Sequence, residues 1–277
     1  MKRHRALLGA LVLGAAVVAL AFLLLPVAAI FLRVPPGKLL HQLSSPVVTD
    51  ALIVSAKTSV IAQALIIVFG TPLAYLLATR RFRGRALAIT LVELPLVLPP
   101  AVAGVGLLVA FGRLGLLGGT FDALGVDVAF NQAAVVLAVT FVAGPLYMRQ
   151  AIASFEAVDD NLVSASRTLG AGPERTFFRV VLPLARAGLA AGAALSLARG
   201  LGEFGATIMF AGSFQGVTQT LPLAIYAEFD RDFDVAVTIS ALLVIITAAI
   251  LLSLKATALW PSSRRSSPSL FARSLSS

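Results

Sequence analysis

The sequence predicts an all-α, polytopic membrane helix bundle with about six transmembrane helices. Of its 277 residues, 58% are hydrophobic and 13% are charged, whereas soluble domains average about 45–50% apolar and about 25% charged residues. Mean hydropathy is +0.95, and six apolar runs approach or exceed the roughly 20 residues that cross a bilayer. These observations exclude an ordinary water-soluble enzyme.

The six predicted spans are separated by loops that contain charged or helix-breaking residues. The first, 7–31, follows a basic start and is longer than the about 7–15 apolar residues of a signal peptide, so we expect it to be retained as a helix. The other five are long enough to cross the bilayer or nearly so. They are predicted at 51–78, 86–111, 132–148, 187–210 and 235–254.

Loop charges predict the orientation of the chain. With the N-terminus inside, the inner segments hold 16 of the 22 lysines and arginines, the outer loops hold four, and Lys57 and Arg199 lie within spans. This distribution satisfies the positive-inside rule and predicts that both termini are cytoplasmic. The net charge of +9 therefore reflects membrane topology, with the lipid bilayer as partner and no indication of nucleic acid.

The chain is predicted to contain one transmembrane domain, 1–260, and a serine-rich, disordered cytoplasmic tail, 261–277. Because there is no cysteine, disulfides and thiol chemistry are excluded. His4 and His41 lie outside the predicted spans, and no paired catalytic residues or metal set can be assembled. We therefore expect a non-catalytic chain that binds no cofactor and no metal itself.

The longest inner loop, 149–186, is predicted to form a helical hairpin. Gly170 suits the left-handed position after a first helix, and Gly172 with Pro173 begins a second helix that runs towards Pro183. In the first helix, apolar residues share one face at i, i+3 and i+7. These residues are Leu162, Ala165 and Leu169.

The hairpin resembles the inner-loop motif of bacterial ABC importer permeases, which reads E-A-A, three residues, G, nine residues, I-x-L-P. Here the acid is replaced by serine and the second alanine by serine. In that family the hairpin docks on a cytosolic ATPase and transmits its closing to the membrane helices; a simple connector is the alternative. The resemblance implies a coupling hairpin at 156–183 with ATPase-coupling residues Ser164, Ala165, Ser166, Gly170, Val180, Leu182 and Pro183.

The same resemblance implies the rest of the assembly. No G-x-x-x-x-G-K-[ST] phosphate-binding loop occurs in the chain, so ATP and Mg would be used by a partner ATPase. The family works as two permease copies with two ATPase subunits and an external solute-binding protein. We expect a multi-pass protein of a bacterial or archaeal cytoplasmic membrane.

Two stretches resemble molybdate permeases in particular: LPLVLPPAVAGVG at 94–106 and GEFGATIMFAGSFQGVTQTLPLAIY at 202–226. G-E-F-G-A-T is also similar to sulfate and thiosulfate permeases. The resemblance implies an oxyanion importer, with molybdate as the favoured cargo and tungstate and sulfate as the alternatives. It also implies a gate, for which helix packing is the alternative role, at Pro99, Pro100, Gly104, Gly202, Gly205 and Thr207. An anion crossing the membrane needs positive charge along its pathway, which Arg199 could supply. Arg199 and Glu203 are four residues apart and are predicted on one helix face, so a mutually neutralised pair that only fixes packing is the alternative.

The predicted outer face carries seven acidic residues and four basic ones. Such a surface repels a free oxyanion, whereas delivery by a docked binding protein with a basic surface avoids the repulsion. Simple solvation of these acids is the alternative. The candidate docking residues are Glu228, Asp230, Asp232 and Asp234.

An ion-coupled secondary carrier is the competing function. Such carriers need acidic residues inside the membrane and are often built from internal repeats. Only Glu93 and Glu203 are available within the spans, and no repeat is evident. An intramembrane enzyme is disfavoured further, because no nucleophile lies beside a base.

Overall fold

In the computed structural model, residues 2–259 are described, and within that range the chain forms helices and no strand. The predicted all-α class is confirmed. The helices are α1 Lys2–Arg33, α2 Pro36–Gln42, α3 Pro46–Thr79, α4 Arg85–Val97, α5 Pro100–Phe111, α6 Gly118–Ala123, α7 Gln132–Glu156, α8 Asp160–Thr168, α9 Pro173–Thr176, α10 Leu182–Leu201, α11 Gly205–Ala211, α12 Leu221–Phe229 and α13 Phe233–Leu259, with a π-helical segment at Phe177–Val181.

Five helical stretches of the described chain are long and apolar enough to cross a membrane, and a bent pair brings the number to as many as six. This agrees with the predicted count. The five stretches are Leu8–Arg33, Pro46–Thr79, Gln132–Glu156, Pro173–Leu201 and Phe233–Ser253. The cytoplasmic position of both termini stays a prediction, and the tail predicted at 261–277 lies outside the described residues.

The third predicted span, 86–111, is wrong as a single helix. It divides into α4 and α5, which are bent by 113° relative to each other. Leu98 and Pro99 between them are extended, with ψ of 134° and 131°. Each of these two residues precedes a proline, and the α conformation is disfavoured before proline. The break therefore has a local cause in the Pro99-Pro100 pair.

The fifth predicted span, 187–210, is displaced in the structure. The apolar helix begins at Pro173 and ends at Leu201, so the second arm of the hairpin continues directly into the membrane span and does not stop at Pro183. A π-turn, closed by Leu182 N–H donating to the Phe177 carbonyl, precedes that proline. Proline lacks an N–H and crowds the carbonyl four residues earlier, and the wider turn relieves this conflict.

Helix α10 packs against α7 through a stripe of small residues at every fourth position. A Cβ on Gly188 would lie 2.0 Å from Ser154 Oγ, and one on Gly192 would lie 2.9 Å from Gln150 Cβ. In the same stripe, Ser196 Oγ donates to Gln63 Oε1 of α3 at 3.1 Å. Small residues allow close approach of helix backbones in membranes. The three helices α3, α7 and α10 therefore form the packed centre of the bundle.

Helix α1 is the least covered of the five membrane-spanning stretches found in the described chain. None of the most apolar 18-residue window of Leu8–Arg33 is buried, and α1 meets the bundle mainly at α13. At its end, the Arg33 guanidinium lies 5.0 Å from the centre of the Phe233 ring and 3.9 Å from an Asp234 carboxylate oxygen.

The α7–α10 contact predicts that Gly192→Ala destabilises the protein. The new methyl group would overlap Gln150, and overpacking of this kind typically costs about 1–3 kcal/mol. Thermal unfolding of the purified protein in detergent measures the effect. Gly106→Ala is the matched control, because a Cβ at Gly106 meets nothing within 4 Å. Equal melting temperatures for the two variants would contradict the close packing.

Candidate functional site

The two broken elements of the bundle meet at one junction, formed by the starts of α5 and α11. A Cβ on Gly205 would lie 2.7 Å from Pro100 Cβ, and one on Gly104 would lie 2.7 Å from both the Ala206 carbonyl oxygen and Met209 Cβ. Residues with side chains could not approach so closely. The structure therefore brings together three of the predicted gate residues, Pro100, Gly104 and Gly205.

The remaining predicted gate residues lie around this junction. Pro99 precedes the first residue of α5 and is exposed, and Gly202 is exposed at the end of α10. Thr207 is fully buried in α11, and its hydroxyl has no hydrogen-bond partner among the described residues. In the single chain, Thr207 therefore reaches no open surface.

Arg199 and Glu203 form an ion pair, with Arg199 Nη1 2.8 Å from Glu203 Oε2. The sequence predicted this pair on one continuous helix face, and that part is wrong, because α10 ends at Leu201 and Glu203 lies in the break before α11. The other carboxylate oxygen, Oε1, accepts the N–H of Ala206 at 2.8 Å. Glu203 thus pairs with the arginine and satisfies an N–H in the first turn of α11.

The two members of the pair differ in burial. The Glu203 side chain is 1% exposed, whereas 37% of the Arg199 side chain is exposed. Arg199 lies beside the uncovered face of α10, which carries exposed apolar residues of mixed size, Leu184, Ala187, Ala190, Leu195 and Gly202. The positive charge is therefore accessible and the negative charge lies behind it.

The helical hairpin forms the second candidate site, and its turn has the predicted geometry. Gly170 has φ of +81°, and the Ala171 and Gly170 N–H groups donate to the carbonyls of Ser166 and Arg167 at 3.0 and 2.9 Å. This is the Schellman pattern that closes a helix on a left-handed glycine. Asp159 starts the first arm by accepting the Asn161 N–H at 2.8 Å.

The motif residues of the hairpin occupy two environments. Ser166 Oγ lies 3.0 Å from the hydroxyl of buried Thr176 and connects the two arms. Val180 and Leu182 are half-buried. The exposed motif residues are Ser164, Ala165, Gly170 and Pro183.

The apolar face predicted for the first arm is open to the outside of the chain. Leu162 is 48% exposed, Leu169 is 88% exposed, and Ala165 between them is exposed as well. Val163 packs inward against a cluster that includes Tyr75 and Phe177, whose ring centroids are 4.7 Å apart. The hairpin is therefore anchored on one side and presents an uncovered apolar surface on the other.

The four acids predicted as a docking loop have different surroundings. Asp232 Oδ1 accepts the N–H groups of Asp234 and Val235 at 3.0 and 3.2 Å and caps α13. Glu228 lies 3.7 Å from Arg231, and Asp234 lies 3.9 Å from Arg33. Asp230 is exposed. Three of the acids thus have contacts within the chain.

Sequence analysis missed the contacts that hold the segment 212–220 between α11 and α12. Ser55 Oγ accepts the Leu221 N–H at 2.8 Å, and Gln215 Nε2 donates to Asp50 Oδ2 at 3.0 Å. Both partners lie in the N-terminal part of α3, more than 150 residues away in sequence, and no local pattern marks them. Among the described residues, no group of three His, Asp or Glu side chains could hold a metal ion.

A model of the family described as "binding-protein-dependent transport system inner membrane component" matches residues 70–265. Similar curated proteins are named as molybdenum transport permeases. ModB of Mycobacterium tuberculosis is 44% identical over 243 residues, covering 87% of this chain and 91% of that protein. A probable molybdenum ABC transporter permease of Haloferax volcanii is 38% identical over 237 residues, covering 85% of each.

Solved ABC transporters have the same fold. A bacterial alginate transporter, in complex with an alginate-bound periplasmic protein, aligns with a TM-score of 0.68 at 15% identity, over 93% of this chain and 95% of that one. The inward-facing methionine transporter MetNI aligns with a TM-score of 0.58 at 22% identity, over 76% and 94%.

The contact between α5 and α11 predicts that Gly205→Ala destabilises the junction. The new methyl group would lie 2.7 Å from Pro100 Cβ, so the two helices would have to separate, and overpacking of this kind typically costs about 1–3 kcal/mol. Thermal unfolding of the purified protein in detergent measures the loss. Gly202→Ala is the matched control, because a Cβ at Gly202 has no neighbour closer than 3.9 Å. Equal melting temperatures for the two variants would contradict the junction.

Proposed function

Because this chain belongs to the family of binding-protein-dependent transport system inner membrane components, we propose that it is the permease subunit of an ATP-driven ABC importer that moves an oxyanion inward. Molybdate is the favoured cargo, since relatives 38–44% identical over most of the chain are named for molybdenum transport. Tungstate and sulfate are the alternatives, because they have the same charge and tetrahedral shape.

The observation that carries this proposal is the uncovered apolar face of the hairpin. Leu162, Ala165 and Leu169 lie at i, i+3 and i+7 on a helix that packs on its own chain through the opposite side. Apolar residues on one helix face are what a groove in a partner protein binds. In this proposal the partner is the ATPase subunit, which supplies the ATP and Mg chemistry that this chain lacks.

The fold offers a continuous mechanical connection from the hairpin to the junction. The second arm of the hairpin runs into α10 through the π-helical segment, and α10 is held against α7 by the small-residue stripe. At the far end of α10, Glu203 links Arg199 to the start of α11, which packs on α5. A displacement of the hairpin by the ATPase would therefore reach the residues proposed as the gate.

The proposed assembly contains two copies of this chain, two ATPase subunits and an external solute-binding protein in a bacterial or archaeal cytoplasmic membrane. The uncovered face of α10 favours a second copy, because its exposed residues are apolar and include small ones, which suit helix association in a bilayer. The translocation pathway would lie between the copies, beside Arg199 and the α5–α11 junction. Substrate selection would belong mainly to the binding protein.

Reconstitution tests this proposal. We expect vesicles that contain this chain and its ATPase to take up molybdate when ATP is inside and molybdate-loaded binding protein is outside. Replacing the hairpin leucines, Leu162→Glu with Leu169→Glu, should abolish co-purification of the ATPase and reduce uptake at least about tenfold, because two carboxylates would replace the apolar contact.

The control for the hairpin variant is Leu114→Glu with Leu116→Glu, which places the same two charges on exposed leucines of another loop and should leave ATPase co-purification unchanged. Uptake driven by a proton or sodium gradient without any ATPase would support the secondary carrier instead. If uptake is supported by sulfate-loaded but not by molybdate-loaded binding protein, the cargo is sulfate and the proposed mechanism stands.

The acids at 228–234 predict separable effects on docking and on stability. Asp230→Ser should weaken association of the binding protein roughly two- to fivefold at low salt and leave thermal stability unchanged, because exposed interface charges act mainly on encounter. Asp232→Ala should lower stability by about 0.5–2 kcal/mol through loss of the α13 cap. Binding-protein titration and thermal unfolding measure the two effects. Unchanged affinity for the Asp230 variant would argue against a docking role.

A further inference from the structure

The Arg199–Glu203 pair is fixed at one end and open at the other. Both Glu203 carboxylate oxygens have partners, Oε2 with Arg199 Nη1 and Oε1 with the Ala206 N–H, each at 2.8 Å. The carboxylate is buried and therefore cannot turn outward without losing both contacts. Arg199 makes this ion pair through Nη1 at 2.8 Å and keeps 37% of its side chain exposed.

An exposed guanidinium inside a membrane protein is a strong potential anion site. Its planar donors match the oxygens of a tetrahedral oxyanion, and the attraction between opposite charges rises as the local dielectric constant falls. A pathway, however, must bind its ion weakly enough to release it. An unpaired arginine beside a path for a divalent anion would hold the anion and slow its passage.

We propose that Arg199 is a transient contact for the travelling oxyanion and that Glu203 is the positioning residue that keeps this contact weak. This inference rests on the proposed function. Glu203 is buried on the side of Arg199 away from the proposed pathway. It therefore neutralises much of the arginine charge without itself facing the anion. The site is thus attractive enough to admit the anion and too weak to retain it.

The same carboxylate ties this charge balance to the gate. Its second contact is with the first turn of α11, next to Gly205 and its packing against Pro100. Any rearrangement of α11 relative to α10 must therefore alter the geometry of the ion pair. The strength of the anion contact and the position of α11 are set by one side chain.

Glu203→Gln separates the two roles, because the amide oxygen can still accept the Ala206 N–H while the negative charge is removed. The complex of this chain with its ATPase, in detergent and without binding protein, is dialysed to equilibrium against radiolabelled molybdate and, separately, sulfate. We expect the variant to bind the anion at least about tenfold more tightly than wild type, a difference of one decade in the binding constant. Adding Arg199→Gln to the variant should remove the gain.

Glu93→Gln is the matched control. It also removes one carboxylate from an arginine, Arg149, 3.5 Å away, but that arginine is 68% exposed and lies just beyond the predicted span 132–148, so its anion binding should not change. Co-purification with the ATPase reports that each variant is folded. In vesicles, Glu203→Gln should lower the uptake rate while assembly with the ATPase stays intact. A purely structural role for Glu203 would not produce slower uptake together with tighter anion binding.

The inference is overturned if Glu203→Gln binds the anion no more tightly than wild type, if Arg199→Gln leaves the gain in place, or if Glu93→Gln gains as much. The dialysis result is independent of transport. Failure of wild-type vesicles to import any oxyanion would refute the proposed function. Import by wild type together with unchanged anion binding by Glu203→Gln would refute this inference alone.

Discussion

Every backbone N–H and C=O group inside a bilayer must find a partner within the protein, and the arrangement of the broken elements follows from that requirement. The chain interrupts two apolar segments, at 98–99 and at 202–204, and packs the helices after the two breaks against each other. At the second break Glu203 accepts an N–H of α11 that has no partner within its own helix. Irregular backbone is tolerated there because this side-chain contact replaces the missing helical one.

The sequence predicted the number of spans well and their ends less well. Hydropathy measures composition over about twenty residues, and composition does not change across the breaks: the run from 86 to 111 is apolar on both sides of Pro99 and Pro100. The prolines predict a bend, but the angle of 113° depends on what α5 packs against. Likewise Gly202 predicts a flexible point in the fifth span. Only the structure shows that a separate helix, α11, begins after it and packs against α5.

The candidate site, too, was predicted only in part from the sequence. Resemblance alone pointed to Pro100, Gly104 and Gly205, and the structure gives the physical reason that positions 104 and 205 are glycines. The stripe formed by Gly188, Gly192, Ser196 and Gly200 was present in the sequence at a period of four, but alanines at neighbouring positions concealed it. Ser166 differs from the family motif, and its contact with Thr176, ten residues later, could not be predicted from either residue.

The second arm of the hairpin and the span that follows it form one continuous helical stretch, so a small tilt at one end becomes a larger displacement at the other. The stretch Pro173–Leu201 contains 29 residues, and at 1.5 Å per residue it is about 43 Å long, so a tilt of about 5° at its hairpin end moves its other end by about 4 Å. That displacement exceeds the separations at which α5 and α11 touch. A partner that rocks the hairpin by a few degrees would thus part or close the junction without any helix having to melt, slide or rotate about its own axis.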